Sequence, residues 1–371
     1  MKNAIKFSEQ KIEKNDLKTV VKSIKSGWLT HGKYTELFEN EFKKFTNAKY
    51  CITVSSCTAA LHLSCLVANL KKGDEVLVPA MTHTATSHAV EYVGATPKFV
   101  DIEMFNGTIS IESLKKNITK KTKALIIVHM SGYPCKMREI LKICKKYKIK
   151  LIEDCAHAVG TKYNSRHAGL FGMTGCFSFY PTKQITTGEG GMVITNDKTV
   201  YKKIKMLKAF GIDKDINNRT KPGHYDVKLL GLNYRMTDFQ SAMGHAQISR
   251  YKKNLIKRKL NAKIYYKFLS KIKNIKFAEY SNDCSYFIFQ IFTKKRDKLI
   301  KALKNNGVGF SIHYAKSLPL MTYYKKKYNY SAANFKNSIV YSKENISLPV
   351  YPGLKHSQIS RICKILKDTL N

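Results

Sequence analysis

A lysine at the end of an apolar run, with glycines close behind it, is the first feature of this chain that could do chemistry. Lys183 follows Cys176, Phe177 and Phe179 and precedes Gly188, Gly190 and Gly191. Desolvated at a strand end, a lysine amine loses its proton more readily and attacks carbonyl carbon to form a Schiff base. A second segment, 151–157, ends an apolar run on Asp154, with His157 three residues further on. A carboxylate at a buried strand end calls for a cationic partner, although a helix cap explains this segment equally well by itself. A third segment, 54–62, carries Ser56, Cys57 and Thr58 where a strand gives way to a helix. Unpaired backbone N–H groups and the helix dipole favour a phosphate there, and a plain Ser/Thr cap is the simpler reading of that segment alone. Along the chain, anion cradle, carboxylate and amine in this order match what a protein supplies to pyridoxal phosphate: an anion site, a carboxylate on the pyridine nitrogen and a lysine Schiff base.

The elements that must position these groups alternate along the chain. Short apolar runs predict strands over 50–54, 75–78, 98–102, 124–129 and 150–153, and two more over 175–180 and 191–195 flank the glycine-rich turn. Helical periodicity covers 16–24, 35–45, 59–70 and 137–148. Such alternation predicts a mostly parallel sheet covered on both faces, with ligands at the carboxyl ends of its strands. From about residue 246 the texture changes to lysine-rich helices with few strands, one of them over 285–291. The expected fold class is α/β, with a large cofactor-binding domain over 1–245 and a smaller C-terminal α+β domain over 246–371.

Composition excludes other classes. The chain has 371 residues, 43% hydrophobic and 25% charged, which is globular composition and not that of a disordered chain. No apolar run approaches the ~20 residues that span a bilayer, and the polar opening over 1–10 does not read as a signal peptide. Nine cysteines without Cys-x-x-Cys spacing signal neither a metal site nor a redox dithiol, and point to a reducing, cytoplasmic setting. The net charge of +40 attracts polyanions, yet only eight of the 66 basic residues are arginine. Nucleic-acid readers favour arginine, so the excess reads as a solvated lysine surface without a specific nucleic-acid partner.

Further segments carry a resemblance. Residues 26–32 (Ser-Gly-Trp-Leu-Thr-His-Gly), 58–63, 73–79 and 153–157 belong to it, with the lysine segment, 231–238 (Gly-Leu-Asn-Tyr-Arg-Met-Thr-Asp), His313-Tyr314 and 347–353. Over nearly its whole length the chain resembles the sugar-nucleotide aminotransferase family of the DegT/StrS type, within pyridoxal-phosphate fold type I. The resemblance implies that Lys183 is the Schiff-base lysine and that Asp154 partners the pyridine nitrogen. It places His157 beside the ring, where the family usually has Gln or His. It makes Ser178 the phosphate site together with Ser56, Cys57 and Thr58, and it puts His83 over the ring. Asn233 would reach the phosphate of a neighbouring subunit, making the active unit a homodimer with shared sites. Arg235 would hold the donor carboxylate, usually that of glutamate, while Glu189, His313 and Tyr314 would meet the substrate. Two positions depart from the family: Cys57 stands where glycine is usual, and His83 where Phe, Tyr or Trp is usual.

The expected reaction is pyridoxal-phosphate-dependent transamination of a nucleotide-linked keto sugar, with a 4-keto-6-deoxyhexose as first candidate, for surface polysaccharide or glycan synthesis. The dehydratase branch of the same family replaces the Schiff-base lysine with histidine, and Lys183 speaks against it. Amino-acid transaminases usually hold an α-carboxylate with an arginine of the small domain, and after residue 297 this chain has only Arg361. A basic polyanion-binding protein on an inactive fold would be expected to lose Lys183 or Asp154, and it has lost neither.

Overall fold

The computed structural model describes residues 4–214, 221 and 223–371. Residues 1–3 of the polar opening, and 215–220 of the lysine-rich run over 200–221, lie outside the described residues. Five strands come first: β1 (Tyr50–Val54), β2 (Glu75–Pro79), β3 (Thr96–Val100), β4 (Thr122–Val128) and β5 (Lys150–Asp154). A two-residue hairpin, β6 (Lys162–Tyr163) with β7 (Arg166–His167), precedes β8 (Thr174–Ser178) and β9 (Gly191–Thr195). The seven longer strands form one sheet in the order β1-β9-β8-β5-β4-β2-β3. Pairing is parallel from β8 through β5, β4 and β2 to β3, and antiparallel on both sides of β9. Only β9 is therefore reversed, and the β8–β9 loop that carries Lys183 emerges at the same edge as the carboxyl ends of the other strands.

Period-two burial explains how one run of apolar residues serves two faces. On β4, Leu125 and Ile127 join one core cluster while Ile126 joins another; on β5, Leu151 and Ile152 divide the same way. On β8, Cys176 faces one side and Phe177 the other. The first helices are α1 (Lys14–Lys25), α2 (Lys33–Thr46), α3 (Cys57–Val67), α4 (Thr84–Glu91), α5 (Ile111–Asn117) and α6 (Met137–Tyr147). Phe38 and Phe42 of α2 cover Phe177 and Phe179, and α3, apolar nearly all round, is buried against the opposite face. In α6, Met137, Ile140, Ile143 and Cys144 form the buried stripe, with lysines outside.

Next come α7 (Lys198–Leu207), α8 (Asp238–Ile248), α9 (Tyr251–Leu269), α10 (Arg296–Asn305), α11 (Thr322–Tyr328), α12 (Lys336–Glu344) and α13 (His356–Leu370). A second small sheet pairs β10 (Phe289–Phe292) with β11 (Asn345–Leu348), antiparallel, and packs with α9, α10 and α13. Packing crosses the 245/246 division in both directions. Ile5 pairs with Val308 and is buried in the C-terminal cluster, while Leu318, Tyr324 and Phe335 are buried with the large sheet. The strand expected over 285–291 is shorter than its apolar pattern. Ser285 and Phe287 donate their N–H groups to Gly132 and Ser131 instead, so regular pairing begins only at Phe289.

Candidate active site

At the carboxyl edge of the sheet a cavity of about 390 Å³ opens between the large sheet and the segment around His313. It is lined by Ser56, Cys57 and Thr58, by His83, by Asp154 and His157, by Ser178, Lys183 and Glu189, and by His313 and Tyr314. These are eleven of the thirteen residues singled out from sequence. Asn233 and Arg235 are the other two. Their segment runs beside β1, with Tyr234 O accepting from Ser55 N–H at 2.8 Å, but their side chains do not line the cavity. Asn233 is exposed and accepts from Arg235 Nε at 3.2 Å, and the Arg235 guanidinium lies over the Phe210 ring at 5.1 Å.

Each wall follows from local structure. Ser56 caps α3, its Oγ accepting from Ala59 N–H at 3.0 Å. The cap reading is thus realised, and helix geometry still leaves the N–H groups of Cys57 and Thr58 without partners inside the helix. Gly191 permits β9 to start against this turn, since a Cβ there would lie 2.5 Å from the Ser56 carbonyl carbon. His83 caps α4, with Nδ1 accepting from Ala85 N–H at 3.2 Å. The Lys183 loop is held by its own hydrogen bonds: Lys183 N–H to Tyr180 O at 2.9 Å, Thr187 N–H to Phe179 O at 3.0 Å, and Gln184 Nε2 to His157 O at 3.2 Å. From the N-terminal segment, Gln10 donates to the Lys183 carbonyl. The Lys183 Nζ stands 4.7 Å from the centre of the Phe287 ring. Burial lowers its pKa to about 8, against opposing pulls from Cys57 and Asp154.

Asp154, 4% exposed, accepts Ala156 N–H on Oδ1 at 3.0 Å and the Thr86 hydroxyl on Oδ2 at 2.9 Å, with Cys57 Sγ 4.0 Å from Oδ1. These partners are all neutral, and burial raises the carboxyl above its usual range. A cationic ring nitrogen in the cavity would remove that penalty. His157 stacks on Phe287, centroids 4.3 Å apart, and its Nδ1 accepts from Ser131 N–H at 3.4 Å, which leaves Nε2 to carry the hydrogen. Burial, with Lys183 next, holds the His157 ring well below its ordinary pKa, hence neutral. His313 is anchored by Ser347 Oγ at 2.9 Å, and burial presses its pKa down to about 3.

Behind the site, His129, Glu153 and Cys155 have ligand atoms within 4.8 Å of one another, as a metal would need. The lone pairs of Glu153 and His129 are committed elsewhere. Glu153 accepts N–H bonds from Gly169, Phe171 and Gly172 and pairs with His129 Nε2 at 3.0 Å, while His129 Nδ1 accepts from Cys135 N–H at 3.1 Å. The cluster braces the end of β5, where His129 N–H also bonds the Asp154 carbonyl at 3.2 Å.

Sequence reasoning passed over Thr82, Thr86, Ser131 and Phe287. The threonine spacing of four after the end of β2 was a usable signal for the first two; nothing local marked the others.

Comparison with known proteins adds independent findings. A Helicobacter pylori structure, PseC, an aminotransferase involved in the biosynthesis of pseudoaminic acid, superposes with a TM-score of 0.92 at 26% identity over 99% of each chain. A Streptococcus pneumoniae protein described as a sugar aminotransferase, in its PLP form, superposes with a TM-score of 0.92 at 28% identity, covering 99% of this chain and 98% of that one. The GDP-perosamine synthase of Vibrio cholerae is 35% identical over 373 residues, 98% of each chain. Fold and site together define a pyridoxal-phosphate enzyme of fold type I. The sequence matches the DegT/DnrJ/EryC1/StrS aminotransferase family over residues 10–367, and the chain belongs to that family of pyridoxal-phosphate-dependent aminotransferases. The cofactor fits the residues present: a helix start whose first N–H groups are open to its phosphate, a buried carboxylate whose described hydrogen-bond partners are neutral, and a lysine with a depressed pKa line one cavity.

Proposed function

We propose that the protein moves an amino group from glutamate to a nucleotide-linked keto sugar, with a 4-keto-6-deoxyhexose as first candidate, in the making of a surface polysaccharide or other glycan. The observation that carries this reading is the single cavity in which Lys183, Asp154, His157 and the start of α3 meet. The sugar class is supported by relatives whose names refer to perosamine and pseudoaminic acid.

When bound, pyridoxal phosphate supplies the electron sink for transferring an amino group between carbons. Lys183 Nζ takes and returns the proton at the substrate carbon, and its lowered pKa keeps a useful share of neutral amine near pH 7. The Asp154 carboxylate would partner the ring nitrogen, and His157, with its hydrogen on Nε2, would stand beside the ring. The N–H groups of Cys57 and Thr58, with the Ser56 and Ser178 hydroxyls, would hold the phosphate, and His83 would cover the ring. Glu189, His313 and Tyr314 are the substrate contacts.

Among the described residues, Lys183 is the only lysine or arginine that lines the cavity. Glutamate and a nucleotide both bring further negative charge, and that shortfall supports a homodimer with shared sites. In it, Asn233 reaches the partner's phosphate site and Arg235 holds a donor carboxylate. Arg361, bonded to the Asn306 carbonyl and outside the cavity lining, gives no support to an amino-acid transaminase. Nine buried thiols support a reducing, cytoplasmic setting, and a net charge of +40 suits an anionic sugar nucleotide without a dedicated nucleic-acid partner.

The test supplies purified holoenzyme with nitrogen-labelled glutamate and a panel of UDP-, GDP- and dTDP-linked keto sugars, with mass detection. Label in one amino sugar is expected. Label passing only to small keto acids would overturn the sugar reading.

A further inference from the structure

The terminal torsion of an aspartate is broad, so rotamer preference alone leaves the plane of its carboxylate loosely set. Two donors on opposite oxygens set it for Asp154. The Ala156 N–H comes from the same strand end, two residues on. Thr86 comes from a different element, the first turn of α4, and is fully buried.

A helical threonine ordinarily turns its hydroxyl back to a carbonyl three or four residues earlier. Four residues before Thr86 stands Thr82, and there the contact is hydroxyl to hydroxyl at 3.0 Å. The Thr86 hydroxyl has one hydrogen, and a carboxylate can only accept, so that hydrogen goes to Asp154 Oδ2. Thr86 Oγ1 must then accept from Thr82. The chain of donors runs Thr82 to Thr86 to Asp154, and each member polarises the next. Thr86 is 0% exposed, so bulk water is kept from replacing its hydroxyl; Thr82, 2% exposed, borders the cavity. Thr86 does not line the cavity and reaches it through Asp154.

We propose that Thr86, backed by Thr82, is the positioning residue for Asp154, turning its carboxylate toward the cofactor ring nitrogen and keeping it ionised there. The proposal rests on Asp154 being the partner of that nitrogen, and the test separates the two ideas. Thr86→Val keeps the shape and removes the donor; Thr86→Ser restores the donor. Holoenzymes of both, of Thr82→Val, of Asp154→Asn and of Asp154→Asn/Thr86→Val are compared by cofactor release on dilution. The pH titration of bound-cofactor absorbance, kcat and KM are also measured.

Thr86→Val should weaken cofactor retention about tenfold, the loss of one hydrogen bond to a charged acceptor. It should shift the absorbance titration and lower kcat with little change in KM. Thr86→Ser should return retention to within about threefold of the parent, and Thr82→Val should fall between. Added to Asp154→Asn, Thr86→Val should cost nothing further. Unchanged retention and titration in Thr86→Val, full additivity with Asp154→Asn, or failure of serine to rescue would each overturn the proposal. Should the valine variant not fold, Thr82→Val carries the test, and unchanged retention there overturns the relay. If Asp154→Asn itself behaves as the parent, the ring-nitrogen role falls, whatever Thr86 does.

Discussion

Raising the pH of cofactor-free protein should switch Lys183 from ammonium to reactive amine about two and a half units earlier than a solvated lysine. Burial moves its pKa from 10.5 to about 8, while Cys57 and Asp154 pull the other way. At pH 7 about a tenth of Lys183 is then free amine, against about one part in three thousand for an ordinary lysine, a ratio of about 300. The assay follows the rate of pyridoxal phosphate capture by stopped flow from pH 6 to 9.5, with Lys183→Ala as the blank. The rate should climb close to tenfold per unit below about pH 8 and flatten above it. Asp154→Asn removes one of the charges that favour the ammonium, so its midpoint should move down. The stability sign follows the same shift. The folded protein binds fewer protons than the unfolded chain between about pH 8 and 10.5, so this group's contribution to stability rises with pH across that window. A rate still climbing tenfold per unit through pH 9.5, or an upward shift in Asp154→Asn, would refute the buried-amine reasoning.

Three further outcomes are expected. Asp154→Asn should lower kcat by about a hundredfold with a much smaller effect on KM, read by steady-state kinetics, as for loss of a preorganised charge. Gly191→Ala places a Cβ 2.5 Å from the Ser56 carbonyl carbon and 2.7 Å from Cys57 N, so the start of α3 must move. Stability should fall by about 1–3 kcal/mol in urea unfolding, and cofactor retention should fall with it. Mixing inactive Lys183→Ala chains with inactive Asn233→Ala chains under subunit exchange should restore activity, because one site in each mixed dimer carries both intact residues. Mixtures that stay dead despite proven exchange would remove the shared site.

Much of the site was legible because it depends on strand ends. Apolar runs with polar boundaries placed β1 and β9 at their observed limits, and the strand-end rule then led to Ser56, Asp154 and Lys183. What escaped was side-chain partnership across long sequence separation. Thr86 serves Asp154 from 68 residues away, and a buried threonine in a helix carries no local mark of its partner. His157 owes its stacking to Phe287, inside a run whose apolar pattern predicted an unbroken strand. That run spends its first residues bonding Ser131 and Gly132, a non-local pairing that periodicity alone cannot register.

The most direct test of the central claim is reduction of the holoenzyme with borohydride, followed by peptide mass mapping. A pyridoxyl label on Lys183 is expected, with loss of the label and of transamination in Lys183→Ala and a yellow colour in the parent protein before reduction. A label fixed on another lysine, or transamination persisting in Lys183→Ala, would contradict it.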